Sequence, residues 1–175
     1  CRFLIGEINE ARTEERMKYG ETVFLLEPNV KRSGGTLRDL QLIRWIGFLR
    51  HGTSNFNQLA VQRALGAEDL ESLHRATEFL LQLRNELHFH AGQSADVLTR
   101  AEQLRIAKLR GYQTREGLLE VEQFMREYFR QSHHLPLSLR ACALLLLFLK
   151  GFTLKFSLLY FVLFALSIPI FKKFF

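Results

Sequence analysis

Cysteine is scarce in this chain of 175 residues, which holds only Cys1 and Cys142. A disulfide framework is therefore not indicated, and a reducing compartment is the natural setting. Cysteine and histidine nowhere stand at the spacing of a zinc site, and His88 and His90 would point to different faces of a helix. The scarcity argues against both a disulfide scaffold and a structural metal.

Acidic residues are absent from residues 136–175, although the whole chain has 18 of them. The same segment holds five of the 24 lysines and arginines, so most of the net charge of +6 belongs to it. Residues 1–135 are nearly neutral and give no electrostatic argument for binding DNA or RNA. We therefore predict that nucleic acid is not a partner.

The longest apolar run lies in this acid-free segment. Residues 152–171 contain one charged side chain, Lys155, and are followed by Lys172 and Lys173. A helix of that length, rising about 1.5 Å per residue, would cross the ~30 Å hydrocarbon core of a membrane. Three interpretations stay open: a membrane anchor, a buried helical hairpin, or non-native sequence from a frameshift, which we favour. An apolar C-terminal helix is expected in any case.

The most informative segment is residues 26–39, Leu-Glu-Pro-Asn-Val-Lys-Arg-Ser-Gly-Gly-Thr-Leu-Arg-Asp. Residues 22–26 before it are β-branched and apolar, which predicts a short buried strand. The two consecutive glycines suit either a tight turn or an anion-binding loop. Thr36 and Asp39 have the spacing of a capping box, in which the Thr hydroxyl accepts from the third helical amide and Asp reaches back.

Helical spacing dominates the rest of the chain up to residue 134. The pattern predicts helices over 1–20, 36–50, 55–65, 68–91, 94–110 and from 114 onward. Trp45 and the aromatic group of Phe124, Tyr128 and Phe129 are predicted to lie in the core. The expected fold is mainly α: a helical bundle preceded by a short strand and a Gly-rich turn, with an apolar C-terminal helix.

Four blocks follow one another in a recognisable order. They read Glu-Pro-Asn-Val-Lys…Gly-Gly-Thr-Leu-Arg-Asp at 27–39, Gln-Leu-Ile-Arg-Trp-Ile at 41–46, Leu-Leu-Gln-Leu-Arg-Asn-Glu-Leu-His at 80–88 and Val-Glu-Gln-Phe-Met-Arg-Glu-Tyr-Phe-Arg at 121–130. Together they resemble the bacterial bifunctional protein-PII uridylyltransferase / uridylyl-removing enzymes, and the resemblance runs from residue 24 to residue 134.

The resemblance implies a fragment of a larger cytoplasmic enzyme. Its parts would be a remnant of a nucleotidyltransferase domain (1–35), a PII-uridylyltransferase helical domain (36–134) and an apolar tail (135–175) that is either transmembrane or non-native. The intact family enzyme would use Mg2+ and UTP to transfer UMP to a tyrosine of the PII signalling protein in nitrogen regulation. PII is thus the implied partner, with membrane contact through residues 152–171 if the tail is genuine.

The chain lacks the carboxylates that this chemistry needs. Two-metal nucleotidyl transfer relies on paired carboxylates to hold the metal, but Asp39, Asp69 and Asp96 stand singly and no Asp-x-Asp occurs. We therefore assign no catalytic and no metal-binding residue, and expect the fragment to be inactive on its own.

The resemblance does suggest binding residues in the turn. Lys31, Gly34, Gly35 and Arg38 are the candidate nucleotide-binding residues, and Glu27 is the candidate third acidic position. The competing interpretation is a well-capped strand–helix turn. The sequence departs from the family pattern here, because a threonine separates the two glycines from the leucine.

A polar patch interrupts the long helix over 68–91. Arg84, Asn85, Glu86 and His88 are expected to form a satisfied hydrogen-bond network between helices, with a substrate-facing role as the alternative. For the whole chain, the competing hypothesis is a non-catalytic helical interaction module, which would be membrane-tethered if the tail is genuine.

Overall fold

Helices form most of the chain that the structure describes. The computed structural model describes residues 2–20, 22, 24–114 and 117–132, which lie in one unit, Cys1–Ser138. Its helices are α1 (Arg2–Tyr19), α2 (Leu37–His51), α3 (Phe56–Val61), α4 (Ala67–Ala91), α5 (Arg100–Leu109) and α6 (120–132). The predicted mainly helical fold is confirmed.

Local capping signals set several of the helix bounds. The Asn55 side chain accepts a hydrogen bond from the amide of Asn57, 2.9 Å away, and so caps α3 at the residue where the sequence predicted this helix to begin. Gly52 and Gly92 end α2 and α4 in the left-handed conformation, with φ of 72° and 63°. α3 stops at Val61, however, earlier than the sequence predicted.

The predicted helix over 94–110 is wrong in its first part. The amide of Val30 donates to the carbonyl of Asp96 (2.8 Å), and Leu98 donates to Pro28 (2.9 Å), so this stretch is extended. One antiparallel bridge, Asn29–Val97, results. Since the backbone of these residues is engaged by a distant segment, α5 begins only after its N-cap, Thr99, whose hydroxyl accepts from Glu102.

The predicted strand over 22–26 is not present in the part of it that the structure describes, residues 22 and 24–26. Phe24 and Leu26 are exposed, at 62% and 63% of their surface. A strand needs a neighbouring strand for its backbone groups, whereas the Leu26 carbonyl accepts a hydrogen bond from the side chain of Gln103. The last helix also begins later than expected, at residue 120 and not at residue 114.

The core is built around α4, which packs against α2 and α3. One face of α4 is buried from Leu73 to Leu87, as the leucine spacing predicted: Leu73, Ala76, Leu80, Leu83 and Leu87. Phe124 and Tyr128 of α6 are also buried, as predicted, and burial raises the pKa of the Tyr128 phenol far above its usual range. Trp45 contradicts its prediction, because 43% of its surface is exposed.

No helix in the described ranges is long and apolar enough to cross a membrane. The apolar C-terminal helix and the membrane contact predicted for residues 152–171 lie outside the residues that the structure describes.

Gly47 permits the close approach of α2 to α3. A Cβ atom at this position would lie 2.7 Å from Cδ1 of the buried Leu59 and 3.1 Å from the Thr53 carbonyl oxygen. We expect Gly47→Ala to lower the free energy of unfolding by about 1–3 kcal/mol, measured by urea denaturation. Gly6 in α1, where a Cβ would meet nothing within 4 Å, is the matched control. Gly6→Ala should be neutral or stabilise by up to about 1 kcal/mol, and equal losses in the two variants would contradict this packing argument.

Candidate functional site

The turn between α1 and α2 is shaped by its own side chains. The Asn29 side chain accepts hydrogen bonds from the amides of Lys31 (3.1 Å) and Arg32 (2.9 Å). The Ser33 hydroxyl accepts from the Asn29 amide and donates to the carbonyl of Tyr19, each at 2.9 Å. Ser33 through Thr36 are buried. This part of the motif is therefore held rigidly inside the protein.

The predicted capping box is only partly correct. The Thr36 hydroxyl donates to the carbonyl of Ser33 (2.6 Å) and makes no capping hydrogen bond to α2. Asp39 does reach back, but to the amide of Gly35 (2.7 Å) and not to that of Thr36. The threonine fails to cap because its buried hydroxyl is used by the turn.

Asp39 is the buried centre of the site, with none of its surface exposed. Its Oδ1 atom accepts from Nε of Arg12 (2.8 Å) and from an Nη of Arg16 (2.6 Å). Two cations and a backbone amide thus compensate one carboxylate. A buried charge is tolerated only when it is paired and hydrogen-bonded in this way.

Arg12 joins α1 to the turn. Its two Nη atoms donate to the carbonyls of Arg32 and Ser33, both at 2.8 Å, in addition to the bond from Nε to Asp39. Arg12 is itself buried. Sequence reasoning did not identify Arg12 or Arg16, because nothing in the helical pattern of α1 points to a partner more than twenty residues away.

The structure does not bring the sequence-predicted binding residues to one point. Lys31 Nζ lies 3.9 Å from the Asp96 carboxylate, whereas Arg38 donates to the side chain of Gln41 (2.7 Å). Glu27 accepts from the amide of Arg100 (2.9 Å), at the start of α5. The side chains of Lys31, Arg38 and Glu27 therefore have separate partners within the chain.

The two glycines of the turn use their amides internally. The Gly34 amide donates to the carbonyl of Gly20 (3.3 Å), and the Gly35 amide donates to Asp39. A phosphate at this turn would have to replace those bonds or use side chains. The nucleotide-binding role of Lys31, Gly34, Gly35 and Arg38, and the acidic role of Glu27, stay predictions.

Three residues of the polar patch on α4, Arg84, Glu86 and His88, form a network as the sequence predicted, whereas Asn85 is exposed. Asp96 Oδ1 accepts from Nε of Arg84 (2.7 Å) and lies 3.0 Å from Nε2 of His88. Glu86 pairs with Arg110 at the end of α5 (3.1 Å). The patch therefore ties α4 to the segment that follows it.

Asp96 should make the stability of the protein sensitive to acid. Burial alone would raise the pKa of this carboxyl, but the hydrogen bonds from Arg84 and His88 and the charges of Arg84 and Lys31 outweigh it and hold the pKa below its ordinary value of 3.8. A lowered folded-state pKa gives stability that is present above the unfolded-state value and is lost as the pH falls through the folded-state value.

We therefore expect Asp96→Asn to be less stable than the wild type at neutral pH, and the difference to shrink as the pH falls below 3.8. Urea midpoints between neutral and strongly acid pH measure this. Asp69→Asn, at an exposed position on α4, is the control. A difference between Asp96→Asn and the wild type that stays constant with pH would show that the charge of Asp96 is not the cause.

The described residues do not fit the magnesium site that the resemblance implies for the intact enzyme. They contain no group of three His, Cys, Asp or Glu side chains that could hold a metal ion. Asp39 and Asp96 are each already bound to two or more basic side chains. We therefore derive no reaction step through a metal at these residues.

Comparison with known proteins agrees with the blocks in the sequence. Residues 2–137 match the family model described as GlnD PII-uridylyltransferase. No solved structure matches the chain.

Several curated proteins with one name are similar to the chain. A bifunctional uridylyltransferase/uridylyl-removing enzyme of Pseudomonas syringae pv. syringae is 42% identical over 113 residues, 65% of this chain and 13% of that protein. Those of Ectopseudomonas mendocina and Azotobacter vinelandii are 40% and 38% identical over 69% and 73% of this chain, and each match covers 14% of the relative. The chain thus corresponds to a small part of these enzymes.

Proposed function

The chain belongs to the GlnD PII-uridylyltransferase family, and from that premise we propose that it is part of an enzyme that transfers UMP from UTP to a tyrosine of the PII protein. The match of residues 2–137 to the family model carries this proposal. The names of the relatives, bifunctional uridylyltransferase/uridylyl-removing enzymes, support the same reaction.

Within that enzyme, we assign residues 1–35 to the end of the nucleotidyltransferase domain and residues 36–134 to the helical domain. The contacts of Asp39 suggest what the second part does. Asp39 belongs to α2, and its carboxylate bonds both to Arg12 of α1 and to the amide of Gly35 in the turn. It therefore connects α1, the turn and α2. The helical part would then hold the motif of residues 27–39 in a fixed position beside the catalytic domain.

The 175-residue chain should not transfer UMP by itself. Its three aspartates stand singly in the sequence, and the described residues lack a carboxylate cluster for magnesium. The measurement is the transfer of radiolabelled UMP from UTP to purified PII protein, with Mg2+ present. The enzyme of Pseudomonas syringae is the positive control. Turnover by the isolated chain would overturn the claim that the essential carboxylates lie elsewhere.

A chimera tests the positive part of the proposal. The segment of the Pseudomonas syringae enzyme that corresponds to residues 2–137 would be replaced by those residues of this chain, so that α1 and the turn are exchanged together. We expect the chimera to transfer UMP to PII, the same chimera with Asp39→Asn to lose transfer, and that with Asp69→Asn to keep it. A folded chimera without transferase activity would contradict the proposed function.

The second candidate is a non-catalytic helical interaction module. Exposed apolar side chains on neighbouring helices favour it, namely Trp45 and Phe48 of α2 and Val61 of α3. The chimera separates the two candidates, because an interaction module need not support UMP transfer.

A further inference from the structure

Arginine is in excess where α1 meets the turn and the first residues of α2. Four guanidinium groups there share two carboxylates. The group consists of Arg12, Arg16, Arg32, Arg38, Glu15 and Asp39, and we refer to it as the arginine cluster. Within the described residues, these arginines form ion pairs with no acidic side chain other than Glu15 and Asp39, so a surplus of positive charge remains.

Three of these arginines have donors that the described residues do not use. Each nitrogen of the Arg12 guanidinium donates a hydrogen bond, but Nε of Arg16 and Nε of Arg38 are buried without any hydrogen-bond partner in the described part of the chain. Arg32 uses one Nη for the Tyr19 hydroxyl. Buried polar atoms of native proteins nearly always have a partner, and a guanidinium donor left without one is costly. These two donors could therefore bond to an acceptor that the described residues do not supply.

Two of the arginines converge on a single oxygen atom. Nε of Arg32 and Nε of Arg38 lie 3.7 Å and 3.8 Å from Oε1 of Glu15. These separations allow charge attraction but are too long for hydrogen bonds. All three side chains are partly exposed, so an ion from solution can reach them.

Two backbone amides at the start of α2, close to the arginine cluster, already donate hydrogen bonds within the chain. The amide of Leu37 donates to Val30 (3.4 Å), and that of Arg38 donates to Lys31 (3.0 Å). An anion at this end of α2 would therefore meet the arginine side chains, because these two amides already donate within the chain.

We propose that Arg16, Arg32 and Arg38 bind a phosphoryl group between α1 and the start of α2. The guanidinium fork matches the paired oxygen atoms of a phosphate, and such charge-assisted hydrogen bonds are the strongest that these donors can make. The phosphate is either free or part of a nucleotide, and only the nucleotide source rests on the proposed function. Glu15 is an internal competitor, because its carboxylate occupies the space between Arg32 and Arg38.

Isothermal titration of the full 175-residue chain tests the site with three probes: inorganic phosphate, tripolyphosphate and UTP. We expect Arg32→Gln and Arg38→Gln each to weaken binding by about tenfold, since each removes one charge-assisted donor. Glu15→Gln should strengthen binding, because it removes the competing charge. Arg75→Gln and Glu71→Gln change the net charge equally at an exposed ion pair of α4 and should leave the affinity unchanged.

The comparison among probes identifies the source of the phosphate. Tighter binding of UTP than of tripolyphosphate assigns the site to a nucleotide, whereas equal binding of the two assigns it to the phosphate chain alone. The proposal is overturned if the wild type binds none of the three probes, or if Arg75→Gln weakens binding as much as Arg38→Gln does. These outcomes do not depend on UMP transfer by the chimera, so either proposal can fail alone.

Discussion

Replacing Asp39 by asparagine should lower the free energy of unfolding by about 3–5 kcal/mol, because it leaves Arg12 buried without its counter-charge. Asparagine keeps the size of the side chain, so the loss reports the missing charge and not a cavity. Urea denaturation followed by circular dichroism measures it. The matched control is Asp69→Asn, at an exposed position in the first turn of α4, where the loss should stay below about 1 kcal/mol.

A second variant tests whether the pair is the cause. In a double-mutant cycle with Arg12→Met and Asp39→Leu, the double variant should lose less stability than the sum of the two single losses. Strict additivity would mean that Arg12 and Asp39 stabilise the protein independently. In that case the contact between them, at 2.8 Å, would not explain the burial of either side chain.

Leu80→Ala should have the second large effect, a loss of about 2–5 kcal/mol in the free energy of unfolding. Leu80 lies at the middle of the buried face of α4 and none of its surface is exposed. Removing its side chain opens a cavity where α4 packs in the core. The adjacent Leu81, 44% exposed, provides the control, and Leu81→Ala should cost less than about 1 kcal/mol. Similar losses of stability at the two positions would contradict the orientation of α4, in which Leu80 faces the core and Leu81 faces the solvent.

The sequence was sufficient to predict α4 because its information is local. Apolar residues recur at helical spacing over the whole helix, and a glycine in the left-handed conformation follows. The same holds for the cap at Asn55. A short-range pattern and a short-range hydrogen bond agree at these places, so no distant residue is needed to decide the structure.

The segment 94–99 was mispredicted because its structure depends on a distant partner. Its residues fit a helical pattern, yet their backbone groups bond to residues 28–30. The pairing of Arg12 with Asp39 was missed for the same reason, since 27 positions separate the two residues. Trp45 shows a different limit: the apolar stripe of α2 is wider than the surface that its neighbours cover.

The link from Arg12 to Asp39 also limits how this protein can be divided. A truncated chain that begins at Thr36 would keep every residue of the predicted helical domain but lose α1 and both cationic partners of Asp39. The Asp39 carboxylate would then be buried without a cationic partner. It would also lose its hydrogen bond from the backbone of the turn, because Gly35 precedes the point of truncation. The first twenty residues and the helices after the turn therefore form one structural unit. Any exchange of segments between relatives should transfer both parts together.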